Sequence, residues 1–287
     1  MNLKSLIDQG TRTISRLFPE QEAREMVLAY LSDILGIQRH THIIEPSFEV
    51  LPDLVSRAMA DFERMAGGEP LQYVTGMAPF YGRNFHVTPA TLIPRPETEL
   101  LCRLALDSSP SRSPRVLDMC TGSGCIAWTM ALELPRSEVT AVELSEAALE
   151  VASSQDFSDE QSRTGATSPE FVRADVLAAP VFPPHCFDII LSNPPYVMDK
   201  EKPLMRTNVL DHEPHMALFV PDDDPLIFYR AVAFWSAELL AEDGFGAVEI
   251  NEALGSQTAE VFRSAGFSEV KVGKDLNDKD RFVTFRR

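Results

Sequence analysis

Cysteine is scarce in this chain: four residues in 287, at Cys102, Cys120, Cys125 and Cys186. None stands at CxxC spacing or beside a pair of histidines, which excludes a zinc finger or a disulfide framework and predicts reduced, buried thiols. Long apolar runs are missing too. No stretch approaches the about 18 residues of a membrane span, and Met1-Asn2-Leu3-Lys4-Ser5-Leu6 lacks the apolar region of a signal peptide, so a cytoplasmic protein is expected. Positive charge is in deficit, with 26 Lys+Arg against 43 Asp+Glu and a net charge of −17. Proteins that grip nucleic acid draw most of their non-specific affinity from basic side chains on phosphates, and a field of this sign disfavours that partner. The deficit extends over residues 1–80, with 7 Lys/Arg against 11 Asp/Glu, where a separate recognition module would lie. No internal repeat is visible.

What is present is a 44% hydrophobic composition, sufficient for a sizeable core. Residues 2–67 read as helical: Leu3, Leu6, Ile7, Ile14 and Leu17 recur at spacings of three and four, and Ala23, Met26, Val27, Tyr30, Leu31 and Ile34 repeat the pattern after Pro19. A third helix is expected from Ser47, as N-cap, to Gly67-Gly68. Residues 1–68 are thus predicted to be a small helical domain serving stability, dimerisation or partner binding. Short β-rich pieces broken by Gly and Pro predict a β-hairpin linker over 69–95. Pro96 suits the first position of a helix, with Glu97 and Glu99 at its positive end, and Ser108–Pro114 suits a surface loop.

From residue 96 to 287, strand and helix alternate. Strands are expected at 115–120, 139–144, 171–172, 187–193, 245–250, 270–273 and 282–285, the last two joined by too short a turn for a crossover helix. The fold class is therefore α/β, a doubly wound, mostly parallel seven-stranded sheet with an antiparallel last strand. The polar run 153–169 is expected to be a mobile loop.

Four groups of residues fall at the carboxyl ends of these strands, where ligands bind in such sheets. Cys120-Thr121-Gly122-Ser123-Gly124 follows the first strand and opens a helix; glycines there admit close backbone approach, and the helix N–H groups attract an anionic group. The Gly122-x-Gly124-x-x-Ala127 spacing also satisfies a loose dinucleotide pattern, with Glu143 ending the second strand where a ribose is hydrogen-bonded. Asp175 and Val176 follow the third strand, and Asn193-Pro194-Pro195-Tyr196 ends the fourth. Two prolines cannot continue a ladder, so that loop is stiff. Its amide, its carbonyl and its aromatic ring suit a flat group bearing an NH2, for which a hydride-transfer enzyme has no use. His212-Glu213-Pro214-His215 has its histidines three apart and a proline between them, which speaks against a metal. Glu249 is either structural or part of the pocket, and Arg95 and Glu97 either border a substrate or tie the hairpin to the sheet.

This combination resembles the S-adenosylmethionine-dependent methyltransferases that act on amide or exocyclic amino nitrogens. PLQYVTG (70–76), Phe80-x-Gly82-x-x-Phe85, LIPRPETE (92–99), VLDMCTGSG (116–124), SNPPY (192–196), His212-Glu213-Pro214 and Asp275…Asp280-Arg281 are together similar to the HemK/PrmC family, in the family's order over nearly the whole chain. That family methylates the glutamine side-chain amide of the Gly-Gly-Gln motif in class I peptide-chain release factors. The resemblance implies that Cys120, Thr121, Gly122, Ser123 and Gly124 meet the methionine end of adenosylmethionine, that Glu143 meets its ribose, that Asp175 and Val176 lie by the adenine, and that Asn193 adjoins both cofactor and substrate. It implies that Asn193, Pro194, Pro195 and Tyr196 hold the substrate glutamine, with Asn193, Pro194 and Tyr196 catalytic; charge, apolar-run length and histidine spacing separately predict that no nucleic acid, membrane or metal takes part. Cys120 replaces a usual glycine, which predicts a slightly tighter loop, and Val176 an aromatic found in some members, which predicts weaker adenine stacking rather than lost function. Two other readings stand beside this one: a DNA or RNA amino-group methyltransferase, since adenine N6 and cytosine N4 are also flat NH2 groups, and a non-enzymatic adenosylmethionine-binding or RNA-associated regulator.

Overall fold

Apolar residues three and four apart build the first helices, α1 (Leu3–Ile14) and α2 (Glu20–Leu35), whose buried faces meet around Leu6, Ile7, Val27, Tyr30 and Leu31. A computed structural model describes residues 1–38, 40–45, 47–109 and 113–287. These fall into two compact units, Met1–Met77 with Arg206–His212, and Ala78–Met205 with Glu213–Arg287.

In the first unit α3 (Thr41–Ile44) is a single turn, followed by α4 (Pro52–Ala66) and α5 (Leu71–Thr75). The expected start of the third helix at Ser47 is corrected to Pro52. The preceding residues are extended and occupied elsewhere, with the Val50 N–H donating to the Met1 carbonyl at 3.0 Å, and Pro52 sits where a missing N–H costs nothing. The short helix α5 also replaces the β-rich texture expected directly after Gly68. Tyr30 donates to Asp61 across the core at 2.6 Å.

The second unit opens with the hairpin β1 (Met77–Phe80) and β2 (Arg83–His86), then α6 (Pro96–Ser108), begun by Pro96 as expected. Of the loop expected over Ser108–Pro114, residues 110–112 lie outside the described residues. There follow β3 (Arg115–Met119), α7 (Cys125–Glu133), β4 (Glu138–Glu143), α8 (Glu146–Ser153), α9 (Ser158–Thr164), β5 (Glu170–Arg173), β6 (Phe187–Ser192) and the two-residue β7 (Val197–Met198). After α10 (Thr207–Leu210), which belongs to the first unit, come β8 (Phe219–Val220), α11 (Ile227–Leu239), β9 (Leu240–Glu249), α12 (Gly255–Ser264), β10 (Ser268–Lys274) and β11 (Asp280–Arg286). The main sheet has the order β10-β11-β9-β6-β3-β4-β5, parallel except for β11, which runs against both neighbours. From β3 the chain first builds outward through β4 and β5, then returns to the other side of β3 with β6, and ligand crevices open at such a switch.

The polar run 153–169 is not a loose loop. It contains α9, and Phe157 beside it packs against Phe85 and Trp128, at 5.1 and 5.2 Å between ring centroids. Arg83 pairs with both Glu133 and Glu160, fastening the helix to the hairpin. One aromatic and one carboxylate thus order a segment whose composition alone reads as disordered. Among the described residues no helix is long and apolar enough to cross a membrane.

Candidate active site

The glycine loop owes its shape to Asp118, the last but one residue of β3. Its carboxylate is fully buried and accepts from the Thr121 hydroxyl at 2.5 Å and the Ala127 N–H at 3.1 Å, folding the loop back onto the start of α7. Burial pushes its pKa up from 3.8 to about 7 against those two bonds, and Oδ1 has no partner among the described residues. The backbone turns at Cys120 (φ +63°), Gly122 (φ +56°) and Gly124 (φ +81°). A Cβ on Gly122 would meet open space, whereas one on Gly124 would lie 3.1 Å from both Ala152 and Trp128. Gly124 is therefore needed for packing as well as for its backbone angle.

Glu143, at the end of β4, accepts from the N–H groups of Gly122 at 3.1 Å, Leu144 at 2.9 Å and Ser145 at 3.0 Å. Asp175 accepts from the Leu177 N–H at 2.9 Å. Cys120, Thr121, Gly122, Ser123, Glu143, Asp175, Val176, Asn193 and Pro195 line one cavity. The sequence-predicted residues Gly124, Pro194 and Tyr196 stand outside that lining.

Asn193 lies directly after β6, and its side-chain NH2 donates to the Thr98 hydroxyl at 3.1 Å. Thr98 in turn donates to Glu249 at 2.7 Å, and the Tyr196 hydroxyl donates to the other oxygen of that carboxylate at 3.0 Å. Glu249 ends β9 and is 1% exposed; burial raises its pKa, opposed by the bonds from Thr98 and Tyr196 and by Arg281. Burial, together with the neighbouring Glu249 carboxylate, also holds the Tyr196 phenol well above its usual range. Two residues along, Asn251 donates to the Tyr196 carbonyl at 3.2 Å and to Glu201 at 3.0 Å. The strand period of two puts Glu249 and Asn251 on one face, so β9 and its extension fasten the Asn-Pro-Pro-Tyr loop twice.

Thr98 and Phe228 are residues of the site that the sequence does not single out. Thr98 and Phe228 line the cavity, and Thr98 lies inside the LIPRPETE segment, where its charged neighbours carry the stronger signal. Arg95, also in the lining, pairs with the buried Glu213 at 2.6 Å, and Glu213 accepts from the Ile93 N–H at 3.2 Å. Glu99, rather than Glu97, ties the hairpin down, accepting from the Tyr81 N–H at 2.8 Å. The Glu213 carboxylate is thus committed to the 93–95 loop, while the His215 ring packs edge-on against Phe219, 5.1 Å between centroids.

Comparison with known proteins gives two family matches: the PrmC N-terminal domain over residues 6–76 and the methyltransferase small domain over residues 97–215. The chain is 39% identical over 277 residues to a release factor glutamine methyltransferase of Bacteroides thetaiotaomicron, covering 96% of this chain and 97% of the relative. A protein of the same name from Flavobacterium psychrophilum is 32% identical over 287 residues, covering 99% and 98%. Among solved structures, a release factor-specific protein-(glutamine-N5) methyltransferase from Alicyclobacillus acidocaldarius is 29% identical, with a TM-score of 0.39, covering 71% of this chain and 99% of that one.

Proposed function

Because the chain belongs to the release factor glutamine methyltransferase family, we propose that it transfers a methyl group from S-adenosylmethionine to the side-chain amide nitrogen of the glutamine in the Gly-Gly-Gln motif of class I peptide-chain release factors. The observation that carries this reading is the juxtaposition, in one cavity, of the glycine loop after β3 and the Asn193 amide after β6.

The cavity residues fit the cofactor. Gly122 presents its backbone with no side chain in the way, and the buried Ser123 hydroxyl lacks a partner among the described residues, which suits a methionine carboxylate or ammonium. A carboxylate offers about four lone-pair sites; the Glu143 bonds to three backbone N–H groups leave room for a ribose hydroxyl. Val176 and Phe228 supply an apolar wall for the adenine, with Phe228 providing the aromatic face that Val176 lacks, and Asp175 lies beside them. When bound, adenosylmethionine supplies an electrophilic methyl group.

The acceptor is a weak nucleophile, because an amide lone pair is delocalised into its carbonyl. Asn193 Oδ1 and the Pro194 carbonyl each accept one of the two substrate N–H bonds, which holds the nitrogen with its lone pair toward the methyl group. Pro195 stiffens the loop, and Tyr196, tied to Glu249, keeps the plane of the site fixed. The methylated nitrogen is acidic and releases its proton to water, so no strong base is required.

The test is incubation with labelled adenosylmethionine and, separately, a release factor, duplex DNA and RNA. Label on the release factor that disappears when its Gly-Gly-Gln glutamine is replaced is the expected result. Label on nucleic acid alone overturns the reading. Asn193→Ala should bind cofactor normally and lose about 100- to 1000-fold in turnover, by analogy with removal of one oxyanion donor.

A further inference from the structure

We propose that Thr98 and Glu249 form a positioning relay that sets the Asn193 side chain with its oxygen, not its NH2, available to the substrate. The proposal rests on the methyl-transfer reading above and adds to it the reason one amide orientation is selected. An asparagine amide can turn over about its last bond, and the two orientations present opposite chemistry: an acceptor for an N–H donor, or a donor that repels it.

The orientation follows from counting protons along the chain of contacts. The Glu249 carboxylate, 1% exposed, can only accept when ionised, and its two oxygens receive Tyr196 OH at 3.0 Å and Thr98 OH at 2.7 Å. Thr98 is 2% exposed and has a single hydroxyl proton, which it has given to Glu249. Toward Asn193, 3.1 Å away, it therefore shows only lone pairs, and the amide must turn its NH2 to it. Oδ1 is then left without a donor among the described residues, at a residue that lines the cavity. Reversing the amide would set two lone pairs face to face, the unfavourable alternative for a buried polar pair.

Three separate elements contribute one member each: Thr98 comes from the first turn of α6, Asn193 from the end of β6, and Glu249 from the end of β9. The carboxylate determines an orientation two hydrogen bonds away from itself.

Turnover of release factor should be compared in Thr98→Val, Thr98→Ser, Glu249→Gln, Asn193→Ala and the double variant Thr98→Val with Asn193→Ala, with cofactor affinity measured for each. Valine keeps the shape of threonine and removes the hydroxyl, so kcat should fall by about 100-fold, the size expected for a misplaced reacting group, while cofactor affinity stays at the wild-type value. Serine restores the relay and should return kcat close to wild type. Glu249→Gln leaves a single acceptor oxygen for the two hydroxyl donors, so the Thr98 proton is no longer committed away from Asn193, and kcat should fall below wild type. If Thr98 acts through Asn193, the double variant is no slower than Asn193→Ala alone. Normal kcat in Thr98→Val, failure of Thr98→Ser to recover, or additive losses in the double variant each overturn the relay. Failure of the wild-type enzyme itself to label the release factor instead refutes the underlying reading.

Discussion

Gln155 grips the backbone of His86 from both sides: its NH2 donates to the His86 carbonyl at 2.8 Å, and its oxygen accepts from the His86 N–H at 2.8 Å. The same NH2 reaches the Ser123 carbonyl at 3.1 Å, so one buried amide joins the hairpin to the glycine loop. Gln155→Ala should cost about 1–3 kcal/mol in unfolding free energy and weaken adenosylmethionine binding. Urea denaturation and calorimetric titration measure the two; an unchanged affinity would show that the hairpin does not brace the loop.

Asp118 links stability to pH. Its folded pKa, pushed up to about 7 from 3.8 by burial, means that the stability it contributes is full below about 3.8 and is lost as the pH rises through about 7. Asn at this position can accept the same bonds from Thr121 and Ala127 without ionising. Asp118→Asn is therefore expected to flatten the stability profile between those values and to exceed wild type at pH 8, the gap widening by about 1.4 kcal/mol per pH unit across the interval. Equal offsets from wild type at pH 5 and pH 8 would contradict the assignment.

Cys120 holds φ +63° without being glycine. Left-handed backbone costs an ordinary side chain about 1–2 kcal/mol, while glycine brings back about 0.5–1 kcal/mol of unfolded-state entropy. The balance, about 0.5–1 kcal/mol, favours glycine, so Cys120→Gly should raise the melting temperature slightly. Cys120→Val, β-branched at positive φ, should lower it clearly. A valine variant as stable as wild type would falsify this account of the turn.

Arg95 neutralises Glu213, whose side chain is 1% exposed. Arg95→Ala leaves that carboxylate buried without its cation, a loss of about 3–5 kcal/mol when a buried pair is broken. It should also free the 93–95 loop, so limited proteolysis with a broad-specificity protease is the sharper measurement: cleavage within residues 87–96 is expected in the variant and not in wild type.

Phe228 is expected to provide the aromatic contact to adenine. Phe228→Ala should weaken cofactor binding by about 10-fold, near 1.4 kcal/mol, and leave kcat at saturating cofactor unchanged. Titration and steady-state kinetics on the same variant separate the two effects.

The alternation of apolar strands with helices, the Pro96 helix start and the two loops at Gly122 and Asn193 are all legible in the sequence, because each is a local signal carried by neighbouring residues. The order inside 153–169 is not. Phe157 and Glu160 acquire their meaning only from Phe85, Trp128 and Arg83, which lie far away in the chain. The same holds in the candidate site. Asn193 announces itself through two prolines, but Thr98 is one hydroxyl in a helical first turn, and nothing near it in sequence indicates that it stands between an amide and a carboxylate.

Those separations have a consequence for how the site comes into being. Thr98 and Glu249 are 151 positions apart, and Thr98 and Asn193 are 95 apart. Contacts of such span close late, since loop entropy must be overcome before they form. A chain still emerging from the ribosome completes its glycine loop long before β9 is made. Until residue 249 arrives and β9 pairs beside β6, Thr98 has no carboxylate to donate to, and the hydrogen-bonded chain from Asn193 through Thr98 to Glu249 is completed only with the nearly finished sheet.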